Sequence, residues 1–298
     1  MEISYSGSLH TYLDEMRNHF NDCCKDKKME INEIVNIVHP YSLLYDMKKQ
    51  SPFKHLALMY CEDFFVLKEL RLEPYQVFST TETETRFGDW ECCSDFKKID
   101  KTKTPCFQSV FSRDPNVYYI NLLHLLVALF ETETEQCVIK ISLVFWKPIL
   151  EAIYLLNSLF KNVSFIKPDV SNWLEDTCYI VCKEFQKNYN SNIIVSLKRQ
   201  MEELKEEITI DITIPLSFIH QIEEFNVLTG KGILNKYNQI NHLFKYKKLI
   251  EQQRIEEEAS KNLCFQWCKE NGISVSAKEP CTWKRNTTFL KSSLTSFA

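Results

Sequence analysis

The clearest hydrophobic pattern in the chain runs from residue 137 to residue 185. CVIKISLVF (137–145) is an unbroken apolar run with one charge, Lys140, the pattern of a strand buried on both faces. A lysine in that setting is costly to desolvate. Lys147 and Pro148 open KPILEAIYLLNSLFKN, where Ile149, Ile153, Leu156 and Phe160 recur at helical spacing and Pro148 suits the first turn. NVSFIKP (162–168) predicts a short strand stopped by Pro168, and CYIVCKEF (178–185) predicts another, rich in Val, Ile, Tyr and Phe. The predicted order is strand, helix, strand, loop, strand.

Upstream, the first twenty residues predict a short strand over 1–5, a turn at Ser6, Gly7 and Ser8, and a helix carrying Leu9, Leu13, Met16 and Phe20. The Ser-Gly pair would also serve as a plain helix cap. Ile31, Ile34, Val35 and Val38 mark a helical face that ends before Pro40, and residues 53–70 predict a further helix. Residues 79–104 are polar and read as exposed loop with short strands. An apolar strand over 106–111, a turn at Arg113, Asp114 and Pro115, and a strongly apolar helix through Leu122, Leu125, Leu126 and Leu129 follow.

Downstream, SNIIVSLKRQMEELKEE is amphipathic through Ile194, Leu197, Met201 and Leu204. ITIDITIP (208–215) alternates so regularly that it predicts a half-buried strand stopped by Pro215. Two helices are predicted after it, over 216–228 and 234–270, with Gly272 as a C-cap and a frayed or partner-bound tail beyond Trp283.

At 298 residues and 44% hydrophobic content the chain can build a real core in one large or two small domains. A net charge of −4 provides no global attraction to nucleic acid, so RNA contact needs a local basic patch. Lys97, Lys98, Lys101 and Lys103, with Trp90 and Phe96 as stacking faces, are the candidate; a solvated loop is the competing reading. Twelve cysteines without a signal peptide or framework spacing predict buried thiols in a reducing compartment, nucleus or cytoplasm. Cys264, Cys268 and Cys281 lack a fourth ligand at finger-like spacing, so no metal is expected. The longest apolar run is shorter than a membrane span, which predicts a soluble chain with no membrane partner. None of the five glycines lies between Gly88 and Gly230, whereas an adenosyl cofactor normally sits against glycines.

Lys140, Lys167-Pro168, Ser171 and Tyr179-Ile180-Val181-Cys182-Lys183, in that order, resemble the carboxyl half of the FtsJ-type RNA 2'-O-ribose methyltransferases. The likeness is strongest to the mRNA cap methyltransferases, and among them to the adrift-type cap methyltransferase 2 group, which pairs a catalytic domain with a degenerate one. The resemblance implies a Rossmann-like α/β methyltransferase sheet over residues 1–187 and a mainly helical extension over 188–298 with one strand at 208–215. It also implies S-adenosyl-L-methionine as methyl donor, and capped mRNA or other RNA and a catalytic methyltransferase domain as partners.

Methylating a ribose 2'-hydroxyl from a sulfonium donor is an in-line displacement that needs an oriented, activated hydroxyl. The family uses a Lys-Asp-Lys-Glu tetrad whose central lysine is depressed in pKa by burial and by its cationic neighbour. By resemblance Lys140 is that lysine, Asp114 the aspartate, and Glu175, with Asp176 beside it, the glutamate. An ungapped count from Lys167-Pro168 to Tyr179 instead puts Thr177 where the family has Glu, and Asn172 stands in place of an arginine. A strand at 1–5 leaves no room for the first lysine. Asp114 before Pro115 is equally a helix N-cap. Gly7 and Ser8, followed by Leu9, Tyr12 and Leu13, align with the end of the donor loop, without its acidic residue and other glycines; Gly88-Asp89 matches a family dipeptide before the fourth strand. The expectation is a degenerate, non-catalytic domain supporting RNA or cap binding. Two alternatives stand beside it: a divergent active 2'-O-methyltransferase, and a protein-interaction module.

Overall fold

The computed structural model describes residues 7–25, 66–67, 69–71, 75–78, 86–87, 90–93, 99, 102–107, 114–171, 173–186, 191–203, 208–210, 212–245 and 250–271. Its centre is a seven-stranded mixed sheet. The strands are β1 (Tyr75–Phe78), β2 (Arg86–Phe87), β3 (Trp90–Cys93), β4 (Thr104–Phe107), β5 (Gln136–Ser142), β6 (Phe160–Ile166) and β7 (Thr177–Phe185). In space they run β2-β3-β1-β4-β5-β7-β6. β3, β1, β4 and β5 are mutually parallel; β7 lies antiparallel between β5 and β6, and β2 pairs antiparallel at the far edge. The described helices are α1 (Gly7–Lys25), α2 (Pro115–Thr132), α3 (Lys147–Leu159), α4 (Ser191–Glu202), α5 (Leu216–Lys245) and α6 (Ile250–Glu270).

The predicted strand–helix–strand–strand stretch folds as its pattern requires. β5 and β7 are central, so both faces are covered and the run from Thr177 to Cys182 is buried throughout, as a continuous apolar run demands. α2 begins where sequence chemistry places it: Asp114 is the N-cap, its Oδ1 accepting from Asn116 N–H at 2.9 Å, with Pro115 in the first turn. Tyr118, Tyr119, Leu122, Leu123, Leu125, Leu126 and Leu129 bury most of its circumference. The helix ends at Glu133, held in the left-handed region at φ 51° without a glycine. α3 starts with Pro148 in its first turn, as expected.

Other expectations meet a different outcome. The sheet has an interior strand at Tyr75–Phe78, between β3 and β4, a four-residue element too short to show periodicity. The strand anticipated at 106–111 is β4 at Thr104–Phe107. The predicted strand over 1–5, the helical face over 31–38 and the Gly88-Asp89 dipeptide lie outside the described residues.

Among the described residues the alternating stretch forms no strand: residues 208–210 and 212–215 are irregular. The backbone of Ile208 and Thr209 bonds to side chains. Tyr119 Oη donates to Ile208 O at 3.3 Å, and the Gln200 carboxamide accepts from Thr209 N–H at 3.3 Å and donates to Thr209 O at 3.4 Å. An extended segment lying on a surface shows the same alternation as a strand in a sheet.

The break expected near residue 230 is absent too, because α5 runs unbroken from Leu216 to Lys245 through Gly230 and Gly232. The Trp173 indole lies over Gly232, with Cε3 3.1 Å from where a Cβ would stand. That glycine makes room for a ring.

The chain divides into two compact units. One comprises Met1–His10, Leu72–Lys167 and Asp176–Thr229; the other comprises Thr11–Arg71, Pro168–Glu175 and Gly230–Ala298. The sheet belongs to the first, which continues past residue 187 through α4 into the first half of α5. No helix among the described residues is long and apolar enough to cross a membrane.

Candidate functional site

Lys140 faces Tyr179 across the β5–β7 pair, and Ser142 faces Thr177. Side chains alternate along a strand, so Val138, Lys140 and Ser142 share one sheet face with Val181, Tyr179 and Thr177. Lys140 is half-buried between fully buried Ile139 and Ile141, and its Nζ lies 5.9 Å from the centroid of the Tyr179 ring. A cation over an aromatic face recovers part of what desolvation costs the ammonium.

Register puts two hydroxyl residues, Ser142 and Thr177, on that face. Ser142 and Thr177 are buried, and Thr177 Oγ1 makes no hydrogen bond among the described residues. The Thr177 carbonyl accepts from Lys167 Nζ at 2.6 Å, and the Asp176 carbonyl accepts from Leu143 N–H at 3.0 Å. Tyr118, from the first turn of α2, brings its phenol to Ser142; burial, then the neighbouring Cys178, push it far above its ordinary range. Burial pushes the Cys178 thiol up to about 12, with Lys167 opposing and Asp176 assisting. These phenol and thiol groups stay protonated and neutral near pH 7.

Beyond β5, the segment Leu143, Val144 and Phe145 is fully buried. Asn226 of α5, itself fully buried, holds Val144 from one side by accepting from its N–H and donating to its carbonyl. His10 of α1 packs edge-on against Phe145 and Trp146, at 4.9 and 5.2 Å between ring centroids. The rings fill the space between one another.

Asp114 is exposed and serves as the α2 N-cap. Glu175 and Asp176 are half-buried, with Glu175 at the end of the 168–175 segment that belongs to the second unit. Gly7 is the first residue of α1 and Ser8 is exposed in its first turn, three and two positions before His10. Of the candidate RNA-contacting lysines, Lys103 is half-buried immediately before β4, and Lys97, Lys98 and Lys101 lie outside the described residues. Cys264 and Cys268 are buried in α6, and Cys281 lies outside the described residues. Among the described residues no three His, Cys, Asp or Glu side chains converge as a metal site would require. Asn226, Tyr118 and Ser142 escaped sequence reasoning, because their partners sit 82, 24 and 35 positions away or across a strand pair.

In open α/β sheets a nucleotide-like ligand binds beyond the carboxyl ends of the strands where the strand order reverses. Here the order reverses between β1 and β4. The described residues at those two ends are Phe78 and Phe107, fully buried and stacked at 4.9 Å. Among the described residues at those two ends there is neither a carboxylate for ribose hydroxyls nor a glycine for close backbone approach.

With that geometry in hand, two comparisons bear on the chain. A family model described as poxvirus mRNA capping enzyme, small subunit, matches residues 94–221. That span takes in β4, α2, β5, α3, β6, β7, α4 and the start of α5, and with them Asp114, Lys140, Glu175 and Thr177. The mRNA-capping enzyme small subunit of Fowlpox virus (strain NVSL) is 39% identical over 57 residues, 19% of this chain and 20% of that protein. The aligned part is thus a fifth of that relative's length. The similarity is to mRNA-capping proteins.

Proposed function

We propose that this chain is a non-catalytic component of an mRNA-capping assembly, a degenerate methyltransferase-like fold that supports a catalytic partner and its RNA. The observation that carries this reading is the composition of the Lys140 face within the matched span. Ribose activation needs a carboxylate at the family's glutamate position, and the residue that an ungapped count and the pairing register put there is Thr177, opposite Ser142 and two residues from Tyr179, the partner of Lys140. Asp114, the other acidic candidate, caps α2. The strand order, reversing at β1 and β4 with β7 inserted antiparallel, supports a Rossmann-like sheet of the methyltransferase kind. A small subunit, as the similar proteins are described, implies a larger one.

Two measurements on the full chain test this. Calorimetric titration with S-adenosylmethionine should give no binding heat. Mixing with the catalytic chain of a poxvirus-type capping enzyme should give co-elution and increased methyl transfer to capped RNA. A folded chain that neither co-elutes nor stimulates would overturn the reading. Any RNA contact through Lys97, Lys98, Lys101 and Lys103 should weaken steeply with salt, and less steeply once all four are neutralised.

The half-buried position of Lys140 over Tyr179 favours one second reading, a divergent active cap 2'-O-methyltransferase using Lys140, Asp114 and Glu175. Micromolar binding of the methyl donor, with turnover abolished in Lys140→Ala, would establish it in place of the first.

A further inference from the structure

We propose that Cys137 and Cys182 are a redox-responsive pair that closes into a cross-strand disulfide, stapling β5 to β7. The two residues are direct partners in the antiparallel register and both are fully buried, in the middle of the sheet. Directly opposed residues in an antiparallel pair have Cα atoms about 4.5–5.5 Å apart, inside the window of about 4.4–6.8 Å that a disulfide spans. Each sulfur also lies in the other's immediate surroundings, and Cys182 adds to burial in raising the Cys137 thiol. Register therefore supplies the proximity, and both cysteines are free thiols in this structure.

Alternation places Cys178 on the same face, opposite Ile141, two residues beyond Ile180. Four residues along the strand from Cys182, about 13 Å away, it lies beyond disulfide reach of either sulfur in the folded sheet, and it lacks a cysteine across the ladder. The pair also straddles the sheet position next to the Lys140 strand segment, so a staple there would fix the β5–β7 register on which the Lys140 and Thr177 neighbourhood depends.

The chemistry requires a hydroperoxide as oxidant. Hydrogen peroxide oxidises one thiol to a sulfenic acid with release of one water. The second sulfur then attacks the sulfenic sulfur and displaces hydroxide, which takes up that thiol's proton and leaves as a second water. Two electrons pass from the sulfur pair to the peroxide, and a dithiol reductant reverses the change. Burial holds the Cys137 thiol well above its usual range, so closure is slow at neutral pH and quickens in mild alkali.

The test treats the full folded chain with hydrogen peroxide, blocks residual thiols, and maps disulfides by fragmentation of non-reduced peptides. Expected is a Cys137–Cys182 linkage that survives in Cys178→Ser and disappears in Cys182→Ser. Closing a loop of about 45 residues should also raise the melting temperature by about 5 °C, reversibly with dithiothreitol. Fragmentation locates the bridge in the unmodified chain, so the result does not depend on either variant folding. A folded chain whose other cysteines oxidise while Cys137 and Cys182 stay unlinked would overturn the proposal, as would a bridge to Cys178.

Discussion

The carboxamide of Asn226 and the main chain of Val144 close a two-bond pair: Val144 N–H donates to Oδ1 at 3.2 Å, and Nδ2 donates to the Val144 carbonyl at 2.7 Å. A helix side chain thus does for the end of β5 what another strand would otherwise do. Both groups are buried, where an unmet donor or acceptor costs about 1–3 kcal/mol each. Asn226→Ala should therefore destabilise the fold by about 3 kcal/mol. Urea unfolding would measure it; a loss below about 0.5 kcal/mol, the range of an ordinary surface substitution, would mean the clamp is dispensable.

Gly232→Ala tests the contact between α5 and Trp173. On helix propensity alone alanine should gain about 1 kcal/mol. The added Cβ would instead run into the Trp173 ring and force it to move. The expected outcome is net destabilisation of about 1–3 kcal/mol, partly relieved in the Gly232→Ala, Trp173→Leu double variant. A stabilised single variant would show the ring yields freely.

Asp114 separates the two functional readings. As a helix cap, its replacement by alanine costs about 0.5–2 kcal/mol, and asparagine or serine restores most of it. As a catalytic carboxylate, asparagine would fold normally and lose turnover. Thermal unfolding of Asp114→Ala and Asp114→Ser, beside methyl-transfer activity of Asp114→Asn, decides between them.

The fourth prediction concerns pH. Burial first, and the neighbouring Asp169 second, raise the pKa of Glu69 above its usual value near 4.5, against hydrogen bonds from the Trp267 indole and the Val170 N–H. A carboxyl raised in the folded state makes the folded chain bind more protons than the unfolded one, so its contribution to stability falls as pH rises from about 4.5 through the folded pKa. Glu69→Gln should therefore be more stable than the parent at pH 7, with the advantage shrinking as the pH approaches 4.5. Melting temperatures of both proteins between pH 4.5 and pH 7.5 would show it; a difference that does not change with pH would count against it.

The legible parts of this protein were those whose signal is local. Asp114-Pro115 and Lys147-Pro148 announced two helix starts because capping and a fixed proline φ depend on adjacent residues. The runs that became β5 and β7 were readable because strands covered on both faces admit few charges. Residues 208–215 misled for the same reason that period-two patterns are ambiguous: Ile210 is buried, yet the segment's hydrogen bonds go to Tyr119 and Gln200. Gly232 misled because a glycine that admits a close approach looks like a glycine that breaks a helix.

From the sequence alone came the apolar strand carrying Lys140, the order of elements around it, and a resemblance to cap 2'-O-methyltransferases, of which the comparisons support only the coarser link to mRNA capping. Tertiary structure decided what stands beside that lysine. Pairing register brings Tyr179 and Thr177 to it from some forty residues downstream, and a shift of one position would have turned the opposite set of side chains toward it. The same register sets Cys137 against Cys182. Local preferences choose strand and helix, whereas the face a side chain shares is settled by packing between distant segments, a free energy that no short stretch of sequence contains.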